Sequence, residues 1–260
     1  MAKRNSLTGE QKFNNYYSNL YNDRWDVLKD ALLKQKESSI AIPNLESPYY
    51  LDKASFDTAS LLPIQKGMTV LDMCAAPGGK SLVLAKKLEG DGLLISNDRS
   101  PDRRERLKKV INDCLSEKER NIIKITGYDA SSWGVYEKDL YDAILLDAPC
   151  SSERHVLNSP EHLSIWSESR PKRLSILQYA MLSSALLAAK NGGYILYSTC
   201  SINVKENQSV IEKLVKKHPS EIEFIEIDIP GSEKLSFGNI VLPDKANGRG
   251  PMYACLMRKI

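Results

Sequence analysis

Two cysteines close two separate apolar runs. YDAILLDAPCSS (141–152) passes through Asp147, Ala148 and Pro149 to Cys150, and GYILYSTCS (193–201) ends on Thr199 and Cys200. A thiol at the tip of a buried strand is placed for covalent catalysis, because its thiolate adds to electrophilic carbons. A cysteine protease would need a histidine base. His155, His162 and His218 stand in poor contexts for that role, and only the first two lie near the expected crevice. No CxxC pair or ligand cluster suggests zinc, so no metal is expected. Cys114 and Cys255 read as small buried hydrophobes, and Cys74 as a packing residue of the loop that follows it.

That loop, LDMCAAPGGKSLVLA (71–85), has the form strand, glycine turn, helix. Small residues let backbone approach a ligand, and a helix start offers N–H groups to an anion. A phosphate-binding P-loop is one reading: Gly79, Lys80 and Ser81 fit, but Cys74 stands where its first glycine belongs and Pro77 removes an N–H. The dinucleotide pattern G-x-G-x-x-G is absent. A third reading is a nucleoside with a small carboxylate-bearing tail, such as S-adenosylmethionine. Asp98 would then accept from a ribose diol and Asp129 would meet an adenine edge.

The elements that must carry these residues follow from periodicity. Strand-like runs at 68–74, 93–98, 122–128, 142–147 and 193–199 alternate with helix-like segments at 79–89, 101–116, 172–190 and 204–217. Alternation of this kind implies βαβ units, so the expected fold is α/β, a doubly wound and mostly parallel sheet. The runs 222–228 and 252–259 have no helix between them and should pair as an antiparallel hairpin, making seven strands. Ligands of such a sheet bind beyond the carboxyl ends of its strands. Cys74, Asp98, Asp129, Asp147, Cys150 and Cys200 all fall there. Upstream, 8–37 reads as helical, with Phe13, Tyr16, Tyr17, Leu20 and Tyr21 near a 3.6-residue period. Pro43, Pro48 and Pro63 punctuate a loop-rich stretch around a short helix at 52–61.

The chain has 260 residues, enough for one large domain with a sizeable core. The expected division is a helical extension over 1–67, packed on a core domain at 68–260. No window is apolar enough for a membrane helix. The start, MAKRNSLTGEQKF, is basic without a secretory apolar stretch, and resembles the tip of an organelle transit peptide. Five scattered cysteines suit reduced thiols in a cytosol-like compartment, so the expected location is cytoplasmic if the source is bacterial, with mitochondria the alternative if it is eukaryotic. Net charge is only +3, so any nucleic-acid contact must be local. RSPDRRERLKK (99–109), RPKR (170–173), Arg154 and Arg249 are the candidate phosphate contacts.

CAAPGGK (74–80), DAPCS (147–151) and STCS (198–201), in that order, resemble the motifs of the Nop2/Sun family of RNA cytosine-5 methyltransferases, over roughly 68–258. FNNYYSNLYNDRW (13–25) and the segment GNIVLPDKANGRGPMYACLMRK resemble its mitochondrial ribosomal-RNA branch and bacterial relatives. The resemblance implies a Rossmann-like methyltransferase fold, S-adenosyl-L-methionine as cofactor and RNA, ribosomal or transfer, as substrate. It implies Cys200 as the nucleophile toward carbon 6 of cytosine and Cys150 as an aid to product release. The residues alone leave those two roles open. Asp147 would serve the ring nitrogen or the methionine amino group. Ala76, Pro77, Gly78, Gly79, Lys80, Ser81, Asp98, Arg103, Asp129 and Ala130 would contact the cofactor. Two departures stand out: SSERHVLNSP (151–160) replaces the family's glycine-rich GTG stretch, and GPMY (250–253) replaces DGFF. A short N-terminal extension suggests that a partner protein or ribosomal particle supplies specificity. A P-loop hydrolase and a catalytically idle RNA-binding or assembly factor are the competing classes.

Overall fold

Thr8 starts the first helix. Its hydroxyl accepts from the Gln11 amide while the Gln11 side chain accepts from the Thr8 amide, a reciprocal cap that begins α1, Gly9–Tyr21. The computed structural model describes residues 7–34 and 39–260, so the basic tip 1–6 and the end of the expected 8–37 helix lie outside the described residues. Asn22, at φ 49°, breaks that helix, and a 3-10 turn over Asn22–Arg24 leads into α2, Trp25–Leu33. Periodicity runs through the break because both helices bury their apolar faces in one cluster. Phe13, Tyr17 and Trp25 meet Trp166 there, with Phe13–Tyr17 centroids 4.6 Å apart and Phe13–Trp166 5.2 Å apart. Each such ring pair adds about 1 kcal/mol beyond the area it buries. α1 and α2 are therefore seated in the main core.

β1 (Ser39–Ala41) and β2 (Tyr50–Asp52) form a small antiparallel ribbon, and Asp52 caps α3 (Lys53–Ser60) by accepting from the Ala54 and Ser55 amides. Strands and helices then alternate as β3 (Thr69–Asp72), α4 (Gly79–Leu88), β4 (Leu93–Asn97), α5 (Pro101–Cys114), α6 (Glu117–Arg120), β5 (Ile123–Thr126), α7 (Trp133–Tyr136) and β6 (Tyr141–Asp147). After them come α8 (Glu153–Leu157), α9 (Pro160–Ser164), α10 (Ser169–Ala188), β7 (Ala189–Thr199), α11 (Gln208–Lys217), β8 (Ile222–Ile225), β9 (Ser232–Lys234), β10 (Asn239–Val241) and β11 (Met252–Lys259).

Among the described residues the main sheet has nine strands in the order β5-β4-β3-β6-β7-β11-β10-β9, with β8 beside β11. β3 pairs in parallel with β4 on one side and β6 on the other, and β6 pairs in parallel with β7. The expected antiparallel pairing is present as β8 against β11, but the two do not form a hairpin, because β9 and β10 lie between them. The count of seven is corrected to nine by β9 and β10, three residues each and too short to show an alternating pattern. Leu71, Ile144, Ile195 and Tyr197 face the layer containing α1, α2, α10 and α11; Val70, Ala143, Leu145 and Leu196 face α3, α4 and α5. Both faces are covered, which is why the strands read as near-continuous apolar runs. Among the described residues no helix is long and apolar enough to cross a membrane.

Chain direction across the sheet reverses between β3 and β6: β4 and β5 build outward on one side, β6 and β7 on the other. That reversal splays the connecting loops and opens a crevice at the carboxyl ends. The reactive side chains gather there.

Candidate active site

The parallel register of β6 and β7 sets Asp147 opposite Ser198, and the Ser198 hydroxyl donates to Asp147 Oδ1 at 2.8 Å. The Ala148 amide donates to the Ser198 carbonyl at 2.8 Å, so the two chains leave the sheet side by side. Three residues past Asp147 and two past Ser198, the sulfurs of Cys150 and Cys200 arrive 3.2 Å apart. Both thiols line one cleft of about 560 Å³, with Cys74, Ala76, Pro77, Asp98, Arg103, Asp129, Ala130 and Asp147 on its other walls.

The thiols are not equivalent. Hydrogen bonding from Cys150, aided by Ser152, holds Cys200 below the ordinary thiol value against the burial that opposes it. The same contact with Cys200, together with burial, pushes Cys150 well up. Cys200 is thus the readier thiolate. Burial raises Cys114 and pushes Cys255 up to about 12, which leaves both as inert packing residues. Cys74, also raised by burial, lines the cleft without being activated.

Asp147 is gripped from the glycine loop. Lys80 Nζ lies 2.8 Å from Asp147 Oδ2, and the lysine side chain is only 12% exposed. Burial disfavours its charge, but the Asp147 carboxylate outweighs that and lifts Lys80 above an ordinary lysine. Ser81 turns the other way: it is fully buried and donates to Asp72 Oδ2 at 2.7 Å. A P-loop would aim this lysine and serine at phosphate and magnesium, and here both are engaged by carboxylates. The glycines serve close approach. A side chain on Gly78, at φ 124°, would meet Val110 at 3.0 Å, and one on Gly79 would meet the Tyr49 ring at 2.9 Å. Gly78, Gly79, Lys80 and Ser81 therefore shape the loop, whereas Ala76 and Pro77 form the cleft wall.

Asp98 and Asp129 stand at the ends of β4 and β5 as expected. Asp98 Oδ1 accepts from the Ser100 amide at 3.0 Å and Oδ2 lies 3.3 Å from Arg103, which also donates to the Ala76 carbonyl. Asp129 accepts from the amide and hydroxyl of Ser131, which hold its carboxyl below the usual range, and Arg99 lies 3.3 Å away. Asn97, which sequence reasoning passed over, ties the two strand ends together by donating to the Met73 and Tyr128 carbonyls. Leu177 and Met181 of α10 add an apolar wall that no motif signalled.

Several cations expected at RNA phosphates are engaged elsewhere. Arg154 donates to the Lys34 and Gly248 carbonyls, and Arg249 to those of Ala246 and Pro230. In the 99–109 run, Arg99 and Arg103 pair with Asp129 and Asp98, and Arg104 donates to the carbonyls of Asp98 and Arg99. Carbonyl partners are invisible in a sequence, so these arginines read there as free. Lys172 and Arg173 at the start of α10 are exposed. His155 packs on His162, centroids 4.9 Å apart, and neither lines the cleft.

Behind the thiols lies a buried carboxylate pair that sequence reasoning missed. Glu153 and Glu206 are fully buried. The hydroxyls of Ser151 and Ser201, each adjacent to one of the cysteines, donate to both carboxylates. Glu206 also accepts from the Ser151 amide and from Gln178 Nε2, each at 2.9 Å. Glu153 accepts from the Ile202 amide at 3.0 Å and from the Tyr17 hydroxyl at 2.5 Å. Burial first, and Glu153 second, push Glu206 up to about 7. The pair braces both cysteine loops from behind.

The family model for the 16S rRNA methyltransferases RsmB/F matches residues 59–257. A 5-cytosine rRNA methyltransferase, NSUN4, of Bos taurus is 37% identical over 235 residues, covering 80% of this chain and 59% of that protein. A mitochondrial tRNA (cytosine(34)-C(5))-methyltransferase of Danio rerio is 35% identical over 229 residues, covering 83% and 62%. The chain thus spans about 60% of the length of these relatives. The crystal structure of NSun6 from Pyrococcus horikoshii with SFG superposes with a TM-score of 0.69 at 26% identity, covering 82% of this chain and 53% of that one.

Proposed function

Since this chain belongs to the family of the 16S rRNA methyltransferases RsmB/F, we propose that it transfers a methyl group from S-adenosylmethionine to carbon 5 of a cytosine in RNA, ribosomal RNA first. The observation that carries this reading is the meeting of two thiols, 3.2 Å apart, in the cleft that also holds Asp98 and Asp129.

The cleft suits the cofactor's chemistry. Asp98 offers carboxylate oxygen to a ribose diol, Asp129 faces a nucleobase edge, and Ala76, Pro77, Met73 and Ala130 supply apolar surface. When bound, S-adenosylmethionine supplies an electrophilic methyl group on a sulfonium. Carbon 5 of cytosine is a poor nucleophile by itself. The Cys200 thiolate adds to carbon 6, its sulfur lone pair forming the new bond while the ring's π pair moves toward carbon 5 and nitrogen 3. A proton passed from Lys80 through Asp147, which Lys80 and Ser198 hold in place, to nitrogen 3 neutralises the negative charge that develops on the ring. After transfer the carbon 5 proton departs to a base, its bonding pair re-forms the ring double bond, and Cys200 leaves as thiolate. Cys150, whose proton is held tightly, assists that departure. The target base must be unstacked to reach the thiols. Exposed Tyr128 and Tyr136 beside Trp133 offer stacking faces, and Lys172 and Arg173 offer charge. The source of specificity, on this reading, is a partner protein or a ribosomal particle.

The test uses labelled S-adenosylmethionine, total RNA and bisulfite mapping of 5-methylcytosine. Cys200→Ala should lose methyl transfer, and Cys150→Ala should accumulate a denaturation-stable RNA–protein adduct. An adduct from the Cys200 variant and none from the Cys150 variant would reverse the two roles.

A further inference from the structure

The stretch that departs from the family pattern, SSERHVLNSP, places a serine where the cysteines meet. Ser152 Oγ lies 3.4 Å from Cys150 Sγ and 3.3 Å from Cys200 Sγ, and the residue lines the cleft. Its backbone is left-handed, φ 53° and ψ 62°. Of the described non-glycine residues at positive φ it alone lines this cleft. Such a conformation is unfavourable for a residue with a Cβ, persists only where surroundings enforce it, and gathers at functional sites. The enforcement is visible: the Ser151 amide is held by Glu206 on one side and α8 begins at Glu153 on the other.

We propose that Ser152 is a positioning residue for the thiol pair, its hydroxyl donating to Cys200 in the thiolate form alongside the Cys150 S–H. Each group has one proton to give, and in this arrangement both protons point at the Cys200 sulfur. No bond to hydrogen is broken at Ser152. When Cys200 bonds to carbon 6, the hydroxyl proton turns toward Cys150 Sγ or the Cys150 carbonyl, 3.5 Å away. The inference rests on the reading of Cys200 as nucleophile and adds the residue that prepares it. The other titratable or charged groups facing Cys200 are Cys150, Asp147, Glu153 and Lys80. The first holds Cys200 down, and the two carboxylates oppose it.

The experiment is site-resolved alkylation of the intact protein by iodoacetamide between pH 6 and pH 10, read by mass spectrometry of the Cys200 peptide. Two variants are compared, Ser152→Gly, which accepts the left-handed backbone freely, and Ser152→Ala, which keeps the Cβ and loses only oxygen. A hydrogen bond to a charged group is worth enough that both variants should react about tenfold more slowly at pH 7, with the midpoint moved upward. Midpoints unchanged in both, or moved in only one, would overturn the assignment. Alkylation needs neither RNA nor cofactor, so the result for Ser152 stays separate from any failure to find methylated cytosine.

Discussion

Replacing Glu206 by glutamine should make this protein more stable above neutral pH, which is unusual for a mutation in a buried polar network. Glu206 Oε2 accepts from the Ser151 amide and Gln178, and a glutamine oxygen can do the same. The other carboxylate oxygen meets the Ser151 and Ser201 hydroxyls, which can accept from a glutamine amide. Only the charge is lost. In the folded protein burial and the neighbouring Glu153 raise the Glu206 carboxyl from an ordinary 4.5 to about 7. The native state therefore binds a proton that the unfolded chain has released, and stability falls as pH rises from 4.5 to 7. At about 1.4 kcal/mol per tenfold change, the loss approaches ~3 kcal/mol and stays constant above that range. Urea unfolding at pH 5, 6, 7 and 8 for both proteins isolates the effect, because other titrating groups cancel in the difference. The variant's advantage should grow by about 2–3 kcal/mol from pH 5 to pH 8. Parallel stability curves would refute the shared-burial account of the pair.

Asp147→Asn should lower kcat for methyl transfer by about a hundredfold or more while leaving the fold intact, since it removes the group set against the ring; a change confined to KM would contradict that placement. Tyr17→Phe deletes the hydroxyl that donates to Glu153 and should cost about 1.5–3 kcal/mol in urea unfolding. A cost near zero would mean that α1 does not brace the site. Gly9→Ala would drive a methyl to 2.2 Å from the Ser164 carbonyl, so it should destabilise by about 1–3 kcal/mol through the seat of α1 on α9.

Much of the site could be read from residue order because strands announce their ends. An apolar run broken by a polar residue marks a strand tip, and four runs with such tips located Asp98, Asp129, Asp147, Cys150 and Cys200 together. What stayed hidden depends on burial by distant chain. Glu153 and Glu206 look like solvated charges in sequence, and only Tyr17 and the serine hydroxyls make them a brace. Arg154 and Arg249 look like phosphate binders until their backbone carbonyl partners are seen. Ser81 fits a ligand loop by position, but the pairing with Asp72 turns it inward. The break at Asn22 did carry a local signal, since asparagine tolerates the left-handed region better than most residues.

The aromatic face of α1 also has a history in time. Its partners Glu153 and Asn203 follow Tyr17 by 136 and 186 residues. At ribosomal speeds of roughly 5–20 residues per second, Phe13 and Tyr17 wait roughly 7 to 27 seconds for the first of those partners to emerge. Until then the nascent chain shows a greasy aromatic stripe to whatever is nearby, which makes it a natural client for chaperones. The surroundings of Cys200 are completed only after both of those partners have emerged.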